Sequence, residues 1–430
     1  MNLGTIGLIL FLVFAFGLTI KIPIAFAIGI ATIAVSFLTG SLTMDTFIQT
    51  FFSASDSYTL LSLPFFVLAG DIMLSGGISN KLVDFARSLL GHMHGSLGMI
   101  TVVTCMIFAA ISGSGPATTA AIGGLVIPAM IKENYDKGFA ASLTAASGAM
   151  GPIIPPSIGF ILFGVSAQIS ISKLFMAGFL PGFLMAIALC IVTYIVCKKK
   201  HYGVVQPRAN ARQRFLAFKD AIWAILVPVI ILGGIYGGIF TPTEAAVVSC
   251  VYGLIVGLFI YKQIKIRDLP GIFFRSAITS GTILILVPNA SALGRLLVME
   301  KIPGALSNLI LGMTENPIVI LLIINIFLFL VGMVMDLTSA VIILTPLLIA
   351  IVEPLGISLT HFGVIMIMNL AMGMCTPPVG VNMFVASGVA KIKVEGMFKW
   401  LFFYVGVLFA VLMVVTYVPQ MSLFLPEKLM

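Results

Sequence analysis

Two stretches of this 430-residue sequence set small, hydroxyl-bearing residues and a proline or aspartate in the middle of apolar runs. They are Ser112-Gly113-Ser114-Gly115-Pro116 within residues 95–131, and Asp336-Leu337-Thr338-Ser339 within 316–352. Two further apolar runs are interrupted by proline pairs, Pro155-Pro156 and Pro377-Pro378, with Gly151 and Gly373 each four residues ahead of its pair. Ser114 precedes Pro155 by 41 residues, and Asp336 precedes Pro377 by the same interval. Gly or Pro inside a helix frees backbone carbonyls and amides, and in hydrocarbon such a gap is tolerated only where it lines a polar cavity or holds an ion. Free carbonyls at helix C-terminal ends, with hydroxyls beside them, suit a small hard cation such as Na⁺; free N–H groups at helix N-terminal ends suit a carboxylate.

The tip from Ser112 to Thr119 is therefore expected to meet the break from Gly151 to Pro156, and the tip from Asp336 to Ser339 the break from Gly373 to Pro378. Thr118, Thr119, Ser157 and Asn382 sit just past these breaks and offer neutral hydrogen bonds to a substrate. Singly, such residues also serve helix packing or capping; the functional reading rests on four breaks matched in spacing. Asp336 either coordinates a cation or caps the second leg of its hairpin. Arg295, after a long apolar run, either attracts an anionic substrate or snorkels to the outer interface. Asp71 and Glu244, near the ends of apolar runs, read as N-cap or surface residues.

The elements that must position these residues are membrane helices. The chain is 60% apolar and only 9% charged, with a mean hydropathy of +1.19, and a crossing takes roughly 20 apolar residues. This composition excludes a soluble enzyme with an anchor. Full crossings are expected over 3–20, 22–40, 57–75, 138–166, 173–197, 221–240, 243–262, 277–298, 360–390 and 399–418, with the two interrupted stretches as re-entrant hairpins. The opening residues lack a basic start and a cleavage pattern and read as a retained span. If the basic loop Lys198–Lys219 is cytoplasmic, all 23 Lys and Arg except Lys173, Arg295, Lys301 and Lys428 fall inside, as the positive-inside rule requires. The net charge of +8 thus reports topology rather than nucleic-acid binding, and both termini are placed outside. The five cysteines lie in or beside apolar runs without metal-ligand spacing and read as packing residues.

Five crossings separate the hairpins, so the second copy enters from the opposite side, an inverted-topology repeat of the kind secondary transporters use. The expected fold is an all-α integral membrane protein with about ten crossings plus two re-entrant hairpins. Its regions divide as 1–94 (first spans and an amphipathic arm), 95–197 (first hairpin and broken helix), 198–315 (basic loop, spans and second arm) and 316–430 (second hairpin, broken helix and last span). Enzyme readings fail on placement. Ser114 has no base, since His92, His94, His201 and His361 fall near expected membrane edges, and no phosphate-binding loop with a lysine occurs.

Across its whole length the sequence resembles the large membrane (M) subunit of the tripartite ATP-independent periplasmic (TRAP) transporters. The resemblance is carried by Leu68-Ala69-Gly70-Asp71-Ile72-Met73 with Gly76-Gly77, Ser112 to Thr119, Gly151 to Ser157, Thr241-Pro242-Thr243-Glu244-Ala245-Ala246, and Gly373 to Gly380. It implies a sodium-driven importer of an organic acid, such as sialic acid or a C4-dicarboxylate, in the bacterial inner membrane. It also implies an elevator-type transport domain, no cofactor beyond Na⁺ as coupling ion, and two partners: a small four-helix membrane subunit and a periplasmic substrate-binding protein. By the same resemblance the ion-binding regions map onto Ser112, Ser114, Gly151, Ile154 and Pro156 in the first copy and Gly332, Asp336, Thr338, Gly373 and Thr376 in the second. Two rival readings stand beside it, a stand-alone carboxylate symporter of the same architecture and an intramembrane hydrolase.

Overall fold

The computed structural model describes residues 3–205, 207–314 and 316–429, and among these all regular structure is helical. In chain order the helices are α1 (Leu3–Thr19), α2 (Ile24–Thr39), α3 (Met44–Ser55), α4 (Ser62–Ser75), α5 (Ile78–Leu90), α6 (Ser96–Ser112), α7 (Gly115–Lys132), α8 (Lys137–Gly148), α9 (Ile158–Ala167) and α10 (Ile171–Lys200). Then follow α11 (Ala211–Tyr236), α12 (Pro242–Ile255), α13 (Leu269–Met299), α14 (Ile302–Met313), α15 (Pro317–Val334), α16 (Leu337–Val352), α17 (Leu359–Gly373), α18 (Val381–Ala390), α19 (Phe398–Tyr417) and α20 (Gln420–Leu429). One order of parts occurs twice: a long helix, a short arm, a helical hairpin, a broken helix and a long helix. The first set is α4, α5, α6/α7, α8/α9 and α10; the second is α13, α14, α15/α16, α17/α18 and α19.

Local chemistry sets the ends of these helices. Asp136, Ser157, Ser170 and Asp336 each accept a backbone N–H three residues on, which pairs amides the helix itself cannot. Gly113, at φ +59°, turns the first hairpin in a left-handed conformation that a Cβ would resist. Among the described residues, seven helical stretches are long and apolar enough to cross a membrane.

Several expectations change. Only part of the basic run 198–219 is loop: α10 continues to Lys200 and α11 starts at Ala211, held by an Asn210/Gln213 capping box. α13 begins at Leu269 rather than at 277, because Pro270 fits the first turn of a helix. The expected crossings 3–20 and 22–40 are helices of 17 and 16 residues. α3 and α20 were not expected; each is a short helix with few buried residues. Region limits drawn at 1, 315 and 430 lie outside the described residues.

The largest wholly buried side chains include Phe108, Phe139, Phe160, Phe163, Phe175, Phe362 and Tyr404, all on hairpin, broken or long helices of the two repeats. There the repeats interlock: α16 of the second packs on α9 of the first, and α18 of the second on α7 and α8 of the first. By contrast α1, α2 and α11 keep large apolar residues exposed, among them Phe11, Phe16, Phe26, Phe37 and Phe215, as lipid-facing or subunit-facing helices do. α13 packs on α2, α3 and α4, and α12 on α4. Ser276 Oγ of α13 donates to Asp71 Oδ2 of α4 at 2.6 Å. Asp71 is thus neither a cap nor a free surface group.

Candidate functional site

The first tip and first break meet through backbone. Gly151 stands so close to the tip that a Cβ there would lie 2.5 Å from the Ser114 carbonyl carbon and oxygen, and one on Gly113 would lie 2.8 Å from the Pro156 carbonyl oxygen. Hydroxyls fill the tip: Ser112 Oγ and Thr118 Oγ1 share a hydrogen bond of 2.7 Å, and Thr118 Oγ1 lies 2.8 Å from Ser114 O. Ser157 caps α9 and donates to Pro152 O. Ile154, between the glycine and the proline pair, is buried. Carbonyls and hydroxyls therefore converge where the chain leaves helical geometry, the donor set a hard cation takes.

The second junction repeats the scheme with different side chains. A Cβ on Gly373 would lie 2.5 Å from Gly332 Cα, and Val379 N donates to Met333 O at 3.0 Å. Thr376 is buried, its hydroxyl 3.2 Å from Met372 O. Asp336 caps α16, receiving Ser339 N at 3.0 Å and Ser339 Oγ at 2.6 Å, with Thr338 Oγ1 also on its carboxylate. Capping is thus present, and a carboxylate that accepts these bonds still has lone pairs to offer a cation.

Both tips open onto one cavity of about 390 Å³, lined by Gly113, Ser114, Gly115 and Pro116 from the first hairpin, Asp336, Leu337 and Thr338 from the second, and Pro152 and Met374 from the two breaks. Ser114 and Asp336, which the sequence analysis placed in separate copies, share this space. The N-termini of α7, α9 and α16 all reach it. α9 and α16 are capped by Ser157 and Asp336, whereas no side chain caps α7. Pro116 has no N–H and Thr118 N donates to Ser114 O, so in its first turn the amides of Gly115 and Ala117 are the ones left for an anion.

Of the residues expected to touch substrate, Thr118, Thr119, Ser157 and Asn382 do not line the cavity; they are buried behind its wall. Thr119 Oγ1 donates to Gly115 O at 2.9 Å, and Asn382 stands against Gly115, each amide atom 3.0 Å from where its Cβ would be. Arg295 is elsewhere, in a polar groove of about 440 Å³ shared with Gln49, Thr50, Gln168 and Ser291. Glu244 closes a capping box with Thr241 at the start of α12.

Two features went unnoticed in the sequence. One is the far wall of the cavity, Ile278, Thr279, Thr282 and Ile283 of α13; the signal was a hydroxyl pair three residues apart, on one helix face. The other is a buried polar chain. Asn369 Nδ2 donates to Asn325 O and Oδ1 at 3.0 and 2.6 Å, Asn325 Nδ2 to Thr416 Oγ1 at 3.3 Å, and His361 bonds Thr416 O and Ser422 Oγ. His361, in the first turn of α17, is buried within the protein. No group of three or more His, Cys, Asp or Glu that could hold a metal occurs among the described residues.

Known proteins resemble this chain in sequence and in fold. The family model described as the tripartite ATP-independent periplasmic transporter DctM component matches residues 10–421. The isethionate TRAP transporter permease protein DctMQ of Oleidesulfovibrio alaskensis is 45% identical over 97% of this chain, which spans 66% of that longer protein. The C4-dicarboxylate TRAP transporter large permease protein DctM of Rhodobacter capsulatus is 37% identical over 96% of this chain and 98% of its own length. Among solved structures, the YdaH transporter of Alcanivorax borkumensis superposes with a TM-score of 0.62 at 14% identity, covering 87% of this chain and 89% of that one, a likeness of fold alone. These relatives are transporter components and not enzymes. On the strength of a match that runs nearly end to end, the chain belongs to the DctM family of large TRAP-transporter permeases.

Proposed function

We propose that this permease couples the inward movement of Na⁺ to the import of an organic acid across the bacterial inner membrane. The observation that carries the reading is the pair of tip-and-break junctions, built from opposite repeats and facing one cavity. Each junction offers carbonyls and hydroxyls to one Na⁺: Ser112, Ser114, Gly151, Ile154 and Pro156 at the first, Gly332, Asp336, Thr338, Gly373 and Thr376 at the second. Bound cations raise the local positive potential beside the uncapped N-terminus of α7, so that an acid group binds there after sodium and not before. Thr118, Thr119, Ser157 and Asn382 hold the walls in place from behind, and Arg295 draws anions toward the groove on the outer side.

The charge distribution supports a topology with the N-terminus periplasmic, both hairpins re-entrant and the repeats inverted. The interlocked α6–α10 and α15–α19 then move as one body, elevator fashion, against the α4 and α13 frame tied by Asp71 and Ser276. The exposed apolar faces of α1, α2 and α11 suit a separate small four-helix subunit and the lipid bilayer, and a periplasmic binding protein delivers the acid. The names of the relatives, which move isethionate or C4-dicarboxylates, fit an acid substrate.

Reconstitution in liposomes with the small subunit and the cognate binding protein tests this. Uptake of the bound acid should follow an inward Na⁺ gradient and stop when K⁺ replaces Na⁺; uptake indifferent to that exchange would defeat the proposal.

A further inference from the structure

Away from the tips, the arm α5, the first half of α11 and the chain leaving α12 enclose a polar pocket of about 730 Å³. Lys81 and Asp84 of α5, Lys219, Asp220 and Trp223 of α11, and Tyr261 beyond α12 line it. Its walls are fixed by other contacts. The hydroxyls of Tyr252 and Tyr261 donate to Trp223 O and Asp220 O at 2.9 and 2.7 Å, which stitches α12 to α11. The rings of Phe85 and Phe218 pack 5.9 Å apart between the arm and α11. A Cβ on Gly77 would lie 2.7 Å from Gln263 Cγ, so the arm starts hard against the chain beyond α12.

Two ammonium groups and two carboxylates are thus held around one space, and they scarcely pair with each other. Lys81 Nζ and Asp220 Oδ2 stand 3.7 Å apart with both side chains accessible to solvent, an arrangement worth little. Lys219 and Asp84 have no ion-pair partner among the described residues. The four charges cancel, so the pocket has no pull on a net anion of the kind a purely basic pocket exerts. It suits a ligand that carries both signs on neighbouring groups. The rim is apolar: Trp223, Phe218 and Ile260 all leave large side chains exposed. An indole beside charged groups at the ends of apolar helices marks the boundary between membrane and water. A free solute gains nothing from that rim, whereas a phospholipid lays its chains along it.

We infer that this pocket binds the headgroup of a zwitterionic aminophospholipid from the cytoplasmic leaflet, its phosphodiester on Lys81 and Lys219 and its primary ammonium on Asp84 and Asp220. The bound headgroup ties the arm α5 to the frame helix α11. The site is distinct from the cavity between the tips, and only its placement on the cytoplasmic face rests on the topology proposed above.

Native mass spectrometry of the lipid-stripped permease tests it, with phosphatidylethanolamine, phosphatidylcholine and phosphatidylglycerol of equal chain length. Phosphatidylcholine has no N–H for the carboxylates, and phosphatidylglycerol has no cation. One phosphatidylethanolamine should bind roughly three- to tenfold tighter than either, the worth of a hydrogen-bonded charge at a part-exposed site, and should raise the melting temperature most. The Lys219→Gln/Asp84→Asn variant keeps the net charge and alters only exposed side chains. Without lipid it should melt like wild type, and it should lose the preference. Equal binding of the three lipids, or a preference that survives in the variant, would overturn the inference. So would glycerophosphoethanolamine competing as well as the lipid, which would make the ligand a free solute, or release of the lipid on adding the small subunit, which would make the pocket a subunit contact. Labelling of Asn80→Cys by an impermeant maleimide from the periplasmic side would overturn the leaflet and the topology while leaving headgroup binding intact.

Discussion

Gly332 and Gly373 meet backbone to backbone, with no room for a methyl group on Gly373: its Cβ would stand 2.5 Å from Gly332 Cα. The second junction is therefore closed by main chain, and its carbonyls are held at a separation that side chains would prevent.

Gly373→Ala should accordingly cost about 1–3 kcal/mol through overpacking and abolish Na⁺-driven uptake. Gly388→Ala, at a site with nothing within 4 Å of the added carbon, should leave both unchanged. Thermal unfolding in detergent, followed by size-exclusion, reads the first effect, and liposome uptake the second. Equal behaviour of the two variants would count against a packed junction.

Asp336→Asn separates charge from capping. Asparagine caps a helix about as well as aspartate, so α16 should keep its start and the protein its melting temperature. The half-saturating Na⁺ concentration should rise roughly tenfold, which corresponds to about 1.4 kcal/mol of lost cation binding. An unaltered Na⁺ dependence would reduce Asp336 to a helix cap.

The buried chain from Asn369 through Asn325 to Thr416 makes a prediction about coupling. Asn369→Leu removes both donors to Asn325 and leaves its amide oxygen buried and unpaired, for a loss of about 1–3 kcal/mol. Adding Asn325→Leu should cost less than the sum of the two single variants, since the orphaned group leaves with it. Strict additivity of the melting shifts would show that the two amides act independently.

Arg295→Gln addresses the polar groove. Substrate half-saturation should rise severalfold at low ionic strength with little change in maximal rate, and the difference should fade as salt screens the charge. A variant that matches wild type at every salt concentration would mean that Arg295 only anchors its helix end at the interface.

The junctions were legible in the sequence because their chemistry is local. Gly113, Gly151 and the proline pairs break helices wherever they fall, and equal intervals from Ser114 and Asp336 to those pairs betray the duplication. What lies across the cavity was not legible. Thr279 and Thr282 sit in an apolar span as ordinary small helix residues, and which face of α13 turns inward is decided by packing against α2, α3 and α4. The same limit applies to the partners of His361, which lie far along the chain. Its burial depends on α20 returning to set Ser422 beside its ring. Thr118, Thr119, Ser157 and Asn382 were found by type and spacing, yet a period cannot tell a cavity wall from the layer behind it.

α13 reaches two pockets, carrying Thr279 and Thr282 at the cavity and Arg295 at the polar groove. At 1.5 Å of rise per residue, the stretch between Thr282 and Arg295 measures about 20 Å. Pro288 falls within that stretch, where a proline removes one helix hydrogen bond and bends the axis, so the two pockets sit on the two limbs of one jointed rod, and the angle at its joint fixes how each pocket is turned relative to the other.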